Sequence, residues 1–218
     1  MSATVVALSV QTGSGGFALA HQLSEQLGFR YYDWEITSEA AARAGVSPNE
    51  VIAAERVPGF VERMMRRLGA ASAVTVEGTP VFGELSPAVW STAIQSLTSD
   101  DYRQFIERII LELADLGSAV IVGHGSQYTL RDHPACLRVL IHGSLETRAE
   151  RVAIEQELTL DEARSRVKQS DKDRSELLKR VYHFDWLDAR MYDLSLNTDH
   201  LSTDFATDTI VAAAEEVP

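Results

Sequence analysis

The chain has 218 residues, 45% of them hydrophobic, which is enough for one ordinary domain with a sizeable core. Its formal net charge of −12 argues against a nucleic-acid-binding surface, because backbone binding needs clustered Lys and Arg. The single cysteine, Cys136, excludes a disulfide framework, and the spacing of the six histidines predicts no metal site. We expect a cytoplasmic protein without a membrane span, since the N-terminal apolar run is short, glycine-rich and not preceded by basic residues.

The chain begins with a strand, a turn and a helix. The β-branched run Thr4–Val10 predicts a buried strand. The apolar spacing of Ser14–Leu27 predicts an amphipathic helix, and Gly28 is a natural C-terminal stop for it. The segment FRYYD (29–33) predicts a short second strand.

The next stretch is less informative. We predict a helix at about 37–44 and a capping box at SPNE (47–50). Residues 69–99 are rich in small residues and predict an insertion or a partner surface, and VFGELSPAVW (81–90) is a candidate interface for a homo-oligomer. We predict a single domain over 1–218, with an acceptor-binding or insertion region at roughly 45–100.

Strands alternate with helices through the rest of the chain. Apolar runs predict strands, and capped periodic runs predict helices. The predicted strands are 118–123, 137–143 and 192–198; the predicted helices are Ser99–Leu116, Leu145–Gln156, about 159–181 and about 203–216. Continuous apolar strands between helices predict a three-layer α/β fold, with a parallel sheet of about five strands covered on both faces.

The turn after the first strand reads Gly13, Ser14, Gly15 and Gly16. Glycines allow backbone N–H groups to approach an anion, and the N-terminus of the following helix adds its positive dipole end. The pattern therefore predicts a phosphate-binding loop, although a plain tight turn is the commoner meaning of such a motif. Against G-x-x-x-x-G-K-[ST], Gly16 stands at the lysine position, Val10 at the first glycine and Phe17 at the metal-binding hydroxyl.

The charged residues of the later helices can be interpreted from their spacing. Arg148 and Arg151 lie three residues apart on one helical face, and one interpretation is a surface helix in which they pair with Glu155 and Glu150. For 161–180, spacing alone favours a solvated helix with local pairs such as Asp171–Arg174 and Glu162–Arg166.

The chain resembles the cytidylate kinase-like family, a branch of the P-loop nucleoside monophosphate kinases. The matching stretches are ALSVQTGSGGFALAHQLSEQLGFRYYDWEI near the start, then SAVIVGHGSQYTLRDHPACLRVLIHGSLETRAERV, DEARSRVKQSDKDR and YHFDWLDARMYDLSLNT, in the family's order. The family characteristically has GSGG in the loop. The resemblance implies a P-loop kinase-like fold and transfer of the γ-phosphoryl group of ATP to a nucleotide such as CMP, with Mg²⁺ held mainly by phosphates and water.

The resemblance also implies roles for individual residues. Gly13, Ser14, Gly15 and Gly16 would hold the donor phosphates. Arg148 and Arg151 would belong to lid-like helices at roughly 145–182. Asp33 would lie beside the acceptor or an outer-shell magnesium water, and Asp171 and Arg174 would contact the acceptor or the transferring group. His124, a candidate substrate-binding residue, stands where members usually carry Arg.

The chain departs from the family pattern at Val10, Phe17 and His124, where members often carry cationic or polar residues. Because phosphoryl transfer depends on positioning and charge stabilisation, these departures affect turnover more than fold. Two alternatives therefore stay open: a nucleotide-binding regulatory module that has lost efficient catalysis, and a kinase for another small acceptor.

Overall fold

The structure is a computed structural model that describes residues 2–33 and 99–217. The segments Met1–Asp33 and Glu107–Pro218 form one compact unit. The helix predicted at 37–44, the capping box at 47–50 and the stretch VFGELSPAVW lie outside the described residues. The acceptor-binding region at roughly 45–100 is almost entirely outside them as well, and the domain division stays a prediction.

A five-stranded sheet organises the described residues. Its strands are β1 (Val5–Val10), β2 (Arg30–Tyr32), β3 (Ala119–Val122), β4 (Cys136–His142) and β5 (Leu194–Asn197). Their order is β2-β3-β1-β4-β5, and every neighbouring pair is parallel. The predicted parallel sheet of about five strands flanked by helices is therefore confirmed.

Helices connect the strands. They are α1 (Gly16–Leu27), α2 (Ser99–Leu116), α3 (Ser126–Thr129), α4 (Leu145–Gln156), α5 (Leu160–Tyr182) and α6 (Thr203–Glu215), with a short 3₁₀ helix at Ala189–Met191. The bounds predicted for α2 and α4 match those observed. Helix α3 was not predicted, because it is only four residues long and carries no periodic pattern of its own.

Local sequence explains several of the helix ends. Thr159 and Glu162 form the predicted capping box, in which the Thr159 side chain accepts from the Glu162 N–H and the Glu162 carboxylate accepts from the Thr159 N–H. Gly28 ends α1 with a left-handed backbone, as predicted. The expected Glu162–Arg166 pair was wrong, because Arg166 donates to Gln156 and the Glu162 carboxylate is used in the cap.

The sheet is buried on both faces. All six residues of β1 are buried, and its alternate residues Val6, Leu8 and Val10 belong to a core with α1 and α6. This core includes Leu19 of α1 and Ile210 of α6. The residues on the opposite face of β1 are buried as well, so the sheet is covered on both faces, as its continuous apolar strands predicted.

Candidate functional site

The glycine-rich loop, residues 11–15, joins the end of β1 to the start of α1. Strand β1 is the middle strand: β3 and β2 lie on one side of it, and β4 and β5 lie on the other. The strand order therefore reverses at β1. In such sheets, ligands bind at the carboxyl ends of the strands where the strand order reverses. Gly13 adopts φ +79°, and a Cβ there would lie 2.4 Å from the carbonyl oxygen of Arg148, so a side chain does not fit at this position.

Each carbonyl group from residue 10 to residue 14 accepts a hydrogen bond. The Gln11 carbonyl accepts from the Ser14 N–H, closing the turn at 3.0 Å. The other four carbonyl groups accept from side chains that are far away in sequence. These donors are Arg174 to Val10, Arg148 to Thr12, Arg151 to Gly13 and Thr198 to Ser14. The carbonyl side of the loop is therefore bound by three guanidinium groups and one hydroxyl.

The N–H groups of the glycines in the loop, and of Gly16 at the start of α1, differ from these carbonyl groups. Among residues 2–33 and 99–217, no hydrogen-bond acceptor is found for the N–H groups of Gly13, Gly15 and Gly16. The first N–H groups of α1 also lack intrahelical partners, as in any helix. The Ser14 hydroxyl is buried and makes no hydrogen bond within the described ranges. Unpaired donors at a helix N-terminus are an arrangement that binds an anion such as phosphate.

Arg148 is the most deeply enclosed of the three arginines. Its side chain is 4% exposed, although it is charged. Its guanidinium donates to the carbonyl groups of Thr12 at 3.2 Å and Gly143 at 3.0 Å, and two nitrogens meet the Asp171 carboxylate at 3.1 and 2.7 Å. The two-pronged contact with Asp171 fixes the plane of the guanidinium, so Arg148 ties α4, α5 and the loop together.

Arg151 lies about one helical turn further along α4 and donates hydrogen bonds to Thr198. Its guanidinium donates to the Thr198 carbonyl at 2.6 Å and the Thr198 hydroxyl at 3.1 Å, and it reaches the Gly13 carbonyl at 3.5 Å. The same Thr198 hydroxyl donates to the Ser14 carbonyl at 2.8 Å. Thr198 directly follows β5 and is 5% exposed. The end of β5 and α4 therefore position two consecutive carbonyl groups of the loop.

Arg174 reaches the loop from α5. Its guanidinium donates to the Val10 carbonyl and lies 5.1 Å from the centre of the Trp186 ring. Trp186 is almost fully buried, so its ring is a fixed surface for the cation. One turn earlier on α5, Ser170 and Thr12 share a hydrogen bond of 2.7 Å between their hydroxyls. Positions 170, 171 and 174 therefore present one face of α5 to the loop.

Asp33 and His124 form a second cluster at the same edge of the sheet. Asp33 follows β2 and His124 follows β3, and the His124 Nε2 lies 3.8 Å from an Asp33 carboxylate oxygen. Tyr31 donates to the other carboxylate oxygen at 3.4 Å. Burial raises the pKa of the Tyr31 hydroxyl well above its usual range, and the Asp33 charge raises it further. Tyr31 therefore remains a neutral hydrogen-bond donor to Asp33.

The end of α5 contacts this second cluster. The Tyr182 hydroxyl donates to the His124 carbonyl at 3.1 Å, and His124 has a left-handed backbone with φ +54°. Tyr182 also packs with Tyr128, which lies on α3, and with Phe184. The helix that binds the glycine-rich loop therefore also fixes the turn that carries His124.

The described side chains offer little to a metal ion. In residues 2–33 and 99–217, no group of three or more His, Cys, Asp or Glu side chains could hold one. No helix in the same ranges is both long enough and apolar enough to cross a membrane.

The structure places the predicted site residues in two groups. Gly13–Gly16, Arg148, Arg151, Asp171 and Arg174 converge on the loop, and Asp33 and His124 lie together beyond it. The interpretation of Arg148 and Arg151 as a surface pair is wrong, since both bind carbonyl groups of the loop. The expected local pairing of Asp171 was also incomplete, because Asp171 binds Arg148 on the neighbouring helix.

Four contributors were missed: Thr12, Ser170, Thr198 and Trp186. The position of Thr198 immediately after the last strand could have indicated it, because polar residues at strand ends are candidates for a site in a parallel sheet. Trp186 could not be found from sequence, since most buried tryptophans only pack.

The matching family model is that of the cytidylate kinase-like family, and it covers residues 5–200. The chain belongs to this family. The match includes the glycine-rich loop, the helices α4 and α5 and all five strands.

The chain is similar to curated relatives in sequence and to a solved structure in fold. The chain is 30% identical to a cytidylate kinase of Pyrobaculum aerophilum, over 50% of the chain and 59% of that protein. It is 30% identical to a cytidylate kinase of Methanopyrus kandleri, over 50% of the chain and 61% of that protein. The match thus spans about three fifths of the length of these relatives. A crystal structure from Eubacterium ventriosum aligns over 97% of the chain and 98% of its own length, with a TM-score of 0.66 and 20% identity, which shows a shared fold.

Proposed function

We propose that this protein transfers the γ-phosphoryl group of ATP to a nucleoside monophosphate, CMP or a similar nucleotide. The donor phosphates would lie on the N–H groups of Gly13, Gly15 and Gly16 and at the N-terminus of α1. The observation that carries the proposal is the division of the loop: its carbonyl groups all accept hydrogen bonds from within the protein, and the N–H groups of its glycines are left for a ligand.

Two features of the site fit a phosphate donor. The buried Ser14 hydroxyl needs a hydrogen-bond partner that the described residues do not supply. In addition, three guanidinium groups lie on the carbonyl side of the loop, where their charge acts through a partly buried medium of low dielectric. Mg²⁺ would be held mainly by phosphates and water, and when bound it would supply positive charge against the charge that develops during transfer.

The residues would divide the work between holding the loop and binding the acceptor. Arg148 and Arg151 would preorganise the loop, and Arg174 would supply a cation close to the end of β1. Asp33 and His124, which follow β2 and β3 at the same edge, would contact the acceptor. Asp171 would orient Arg148 through their ion pair, and it would contact the acceptor once the nucleotide is bound.

The experiment is incubation with Mg-ATP and a panel of nucleoside monophosphates, with separation of the diphosphate products. We expect the diphosphate of cytidine, and we expect Arg174→Ala to lower turnover by at least about 10³-fold, the lower range for an arginine that stabilises the transferring group. Arg190→Ala is the matched control, because the Arg190 side chain is 89% exposed and pairs with Asp188 on the surface. Equal losses in the two variants would contradict the assignment of Arg174.

A second candidate function is a nucleotide-binding regulatory module. It is favoured by Arg148 and Arg151, whose guanidinium groups are already bound to carbonyl groups and a carboxylate. Nucleotide binding without turnover on any acceptor would support this module, and diphosphate formation would exclude it. A phosphorylated product from a different small acceptor would support the other alternative, a kinase for another small acceptor.

A further inference from the structure

Position 16 of the chain is sterically closed. A Cβ atom built on Gly16 would lie 2.4 Å from Cγ1 and 2.9 Å from Cγ2 of Val10, closer than real Cβ contacts occur. The conflict involves a side chain only, since the three closest atoms all belong to Val10. Gly16 itself does not have the positive φ that would demand glycine for backbone reasons.

Val10 cannot easily move away. It is 1% exposed and belongs to the core cluster formed with α1 and α6. As a β-branched residue it has few χ1 alternatives, and a packed core resists the displacement of a methyl group. Its carbonyl group is also held by Arg174. Any side chain at position 16 must therefore compete with a fixed core residue.

The two positions are the first and last of the phosphate-binding pattern G-x-x-x-x-G-K, counted without its final hydroxyl residue. In that pattern position 10 is glycine and position 16 is lysine. In this chain the large and small side chains have changed places: position 10 carries valine, and position 16 carries glycine. We propose that Val10 is the residue that excludes a lysine from this loop, so that the substitutions at positions 10 and 16 form one coupled exchange.

The exchange determines how the loop can bind phosphate, an extension that rests on the proposed function. With position 16 closed, the loop offers its main-chain N–H groups and the Ser14 hydroxyl but no cation, so cations must come from α4 and α5. Restoring a lysine would require a small residue at position 10 at the same time. Val10 is thus a positioning residue, and its effect on phosphate binding acts through the side chain that position 16 can accommodate.

The steric part is tested by a double-mutant cycle with Val10→Ala and Gly16→Ala, read from the thermal midpoint. Overpacking by a methyl group should lower the midpoint of Gly16→Ala by roughly 2–12 °C. Val10→Ala should relieve much of this loss, so the double variant should be more stable than the two single losses combined predict. Additive losses would overturn the proposal.

Gly15→Ala is the matched control. Gly15 has φ +75°, so alanine there is strained, but among residues 2–33 and 99–217, apart from its two chain neighbours, no atom lies within 4 Å of the point that its Cβ would occupy. Val10→Ala should therefore give no relief to Gly15→Ala. Equal relief at positions 15 and 16 would mean that Val10→Ala acts non-specifically, and this would also overturn the proposal.

The nucleotide part compares Val10→Gly, Gly16→Lys and the double variant in Mg-ATP titrations. Only the double variant should bind ATP more tightly than the unaltered chain, by about 10–100-fold, the value of one charge-assisted hydrogen bond. Tighter binding by Gly16→Lys alone would overturn the inference. A coupled stability cycle with no ATP binding in any variant would support the steric exchange and contradict the proposed function instead.

Discussion

Replacing Arg148 by methionine should destabilise the protein strongly. The change keeps most of the side-chain volume but removes the cation that binds Asp171 and the carbonyl groups of Thr12 and Gly143. Removing one partner of a buried ion pair costs about 3–5 kcal/mol. Since the Asp171 side chain is 27% exposed and can be partly solvated, we expect the lower end, about 3 kcal/mol.

The measurement is urea unfolding followed by circular dichroism, with the thermal midpoint as a second readout. For a domain of this size, about 3 kcal/mol corresponds to a fall of roughly 6–12 °C in the midpoint. The double variant Arg148→Met with Asp171→Leu should recover part of the loss, because the stranded carboxylate is gone while the two carbonyl groups stay unpaired.

Arg164→Met is the matched control on α5. Arg164 is also paired with two carboxylates, those of Glu146 at 2.6 Å and Asp161 at 2.9 Å, but its side chain is 34% exposed. Exposed pairs contribute about 0–1 kcal/mol. If Arg148→Met lowers the free energy of unfolding by no more than Arg164→Met does, then Arg148 does not stabilise the loop through its carbonyl groups.

Three further predictions use the same structure. Thr198→Val should lower the free energy of unfolding by about 1–3 kcal/mol because it removes a buried donor to the loop, whereas Thr209→Val, at an exposed hydroxyl that bonds within its own helix, should cost far less in the same urea titration. Trp186→Phe should retain more thermal stability than Trp186→Leu, because phenylalanine keeps a ring beside the Arg174 guanidinium; equal midpoints would exclude the cation–π contact. Burial raises the pKa of the Cys136 thiol to about 12, so the thiol loses its proton at lower pH in the unfolded chain than in the folded one. The free energy of unfolding should therefore fall as pH rises from about 9 toward 12, and it should fall by less in Cys136→Ala. A thiol reagent at pH 8 should label only unfolded protein.

The local structure of the described residues was largely readable from sequence. The ends of α2 and α4, the capping box at the start of α5 and the glycine stop of α1 depend on residues a few positions apart. The parallel sheet followed from continuous apolar runs between helices, because strands buried on both faces cannot alternate in polarity. These features need only short-range spacing, and they were predicted correctly.

The hydrogen-bond and ion-pair partners of the charged residues could not be predicted from short-range spacing. Spacing along α5 suggested a local pair between Asp171 and Arg174, yet Asp171 binds Arg148 and Arg174 binds the Val10 carbonyl. Exposed pairs on one helix contribute only about 0.2–0.5 kcal/mol, so buried contacts between helices outweigh them. Which contact forms depends on how α4 and α5 pack, information that neither segment contains alone.

The sequence by itself determined the elements, their order and the glycine-rich turn where a ligand would lie, since these follow from local propensity and burial pattern. The tertiary structure decided which groups face that turn: three arginines and Thr198 on its carbonyl side. The physical reason is distance along the chain. Residues more than a hundred positions apart meet only when the sheet brings its strand ends to one edge, so their hydrogen bonds and clashes exist only in the folded molecule.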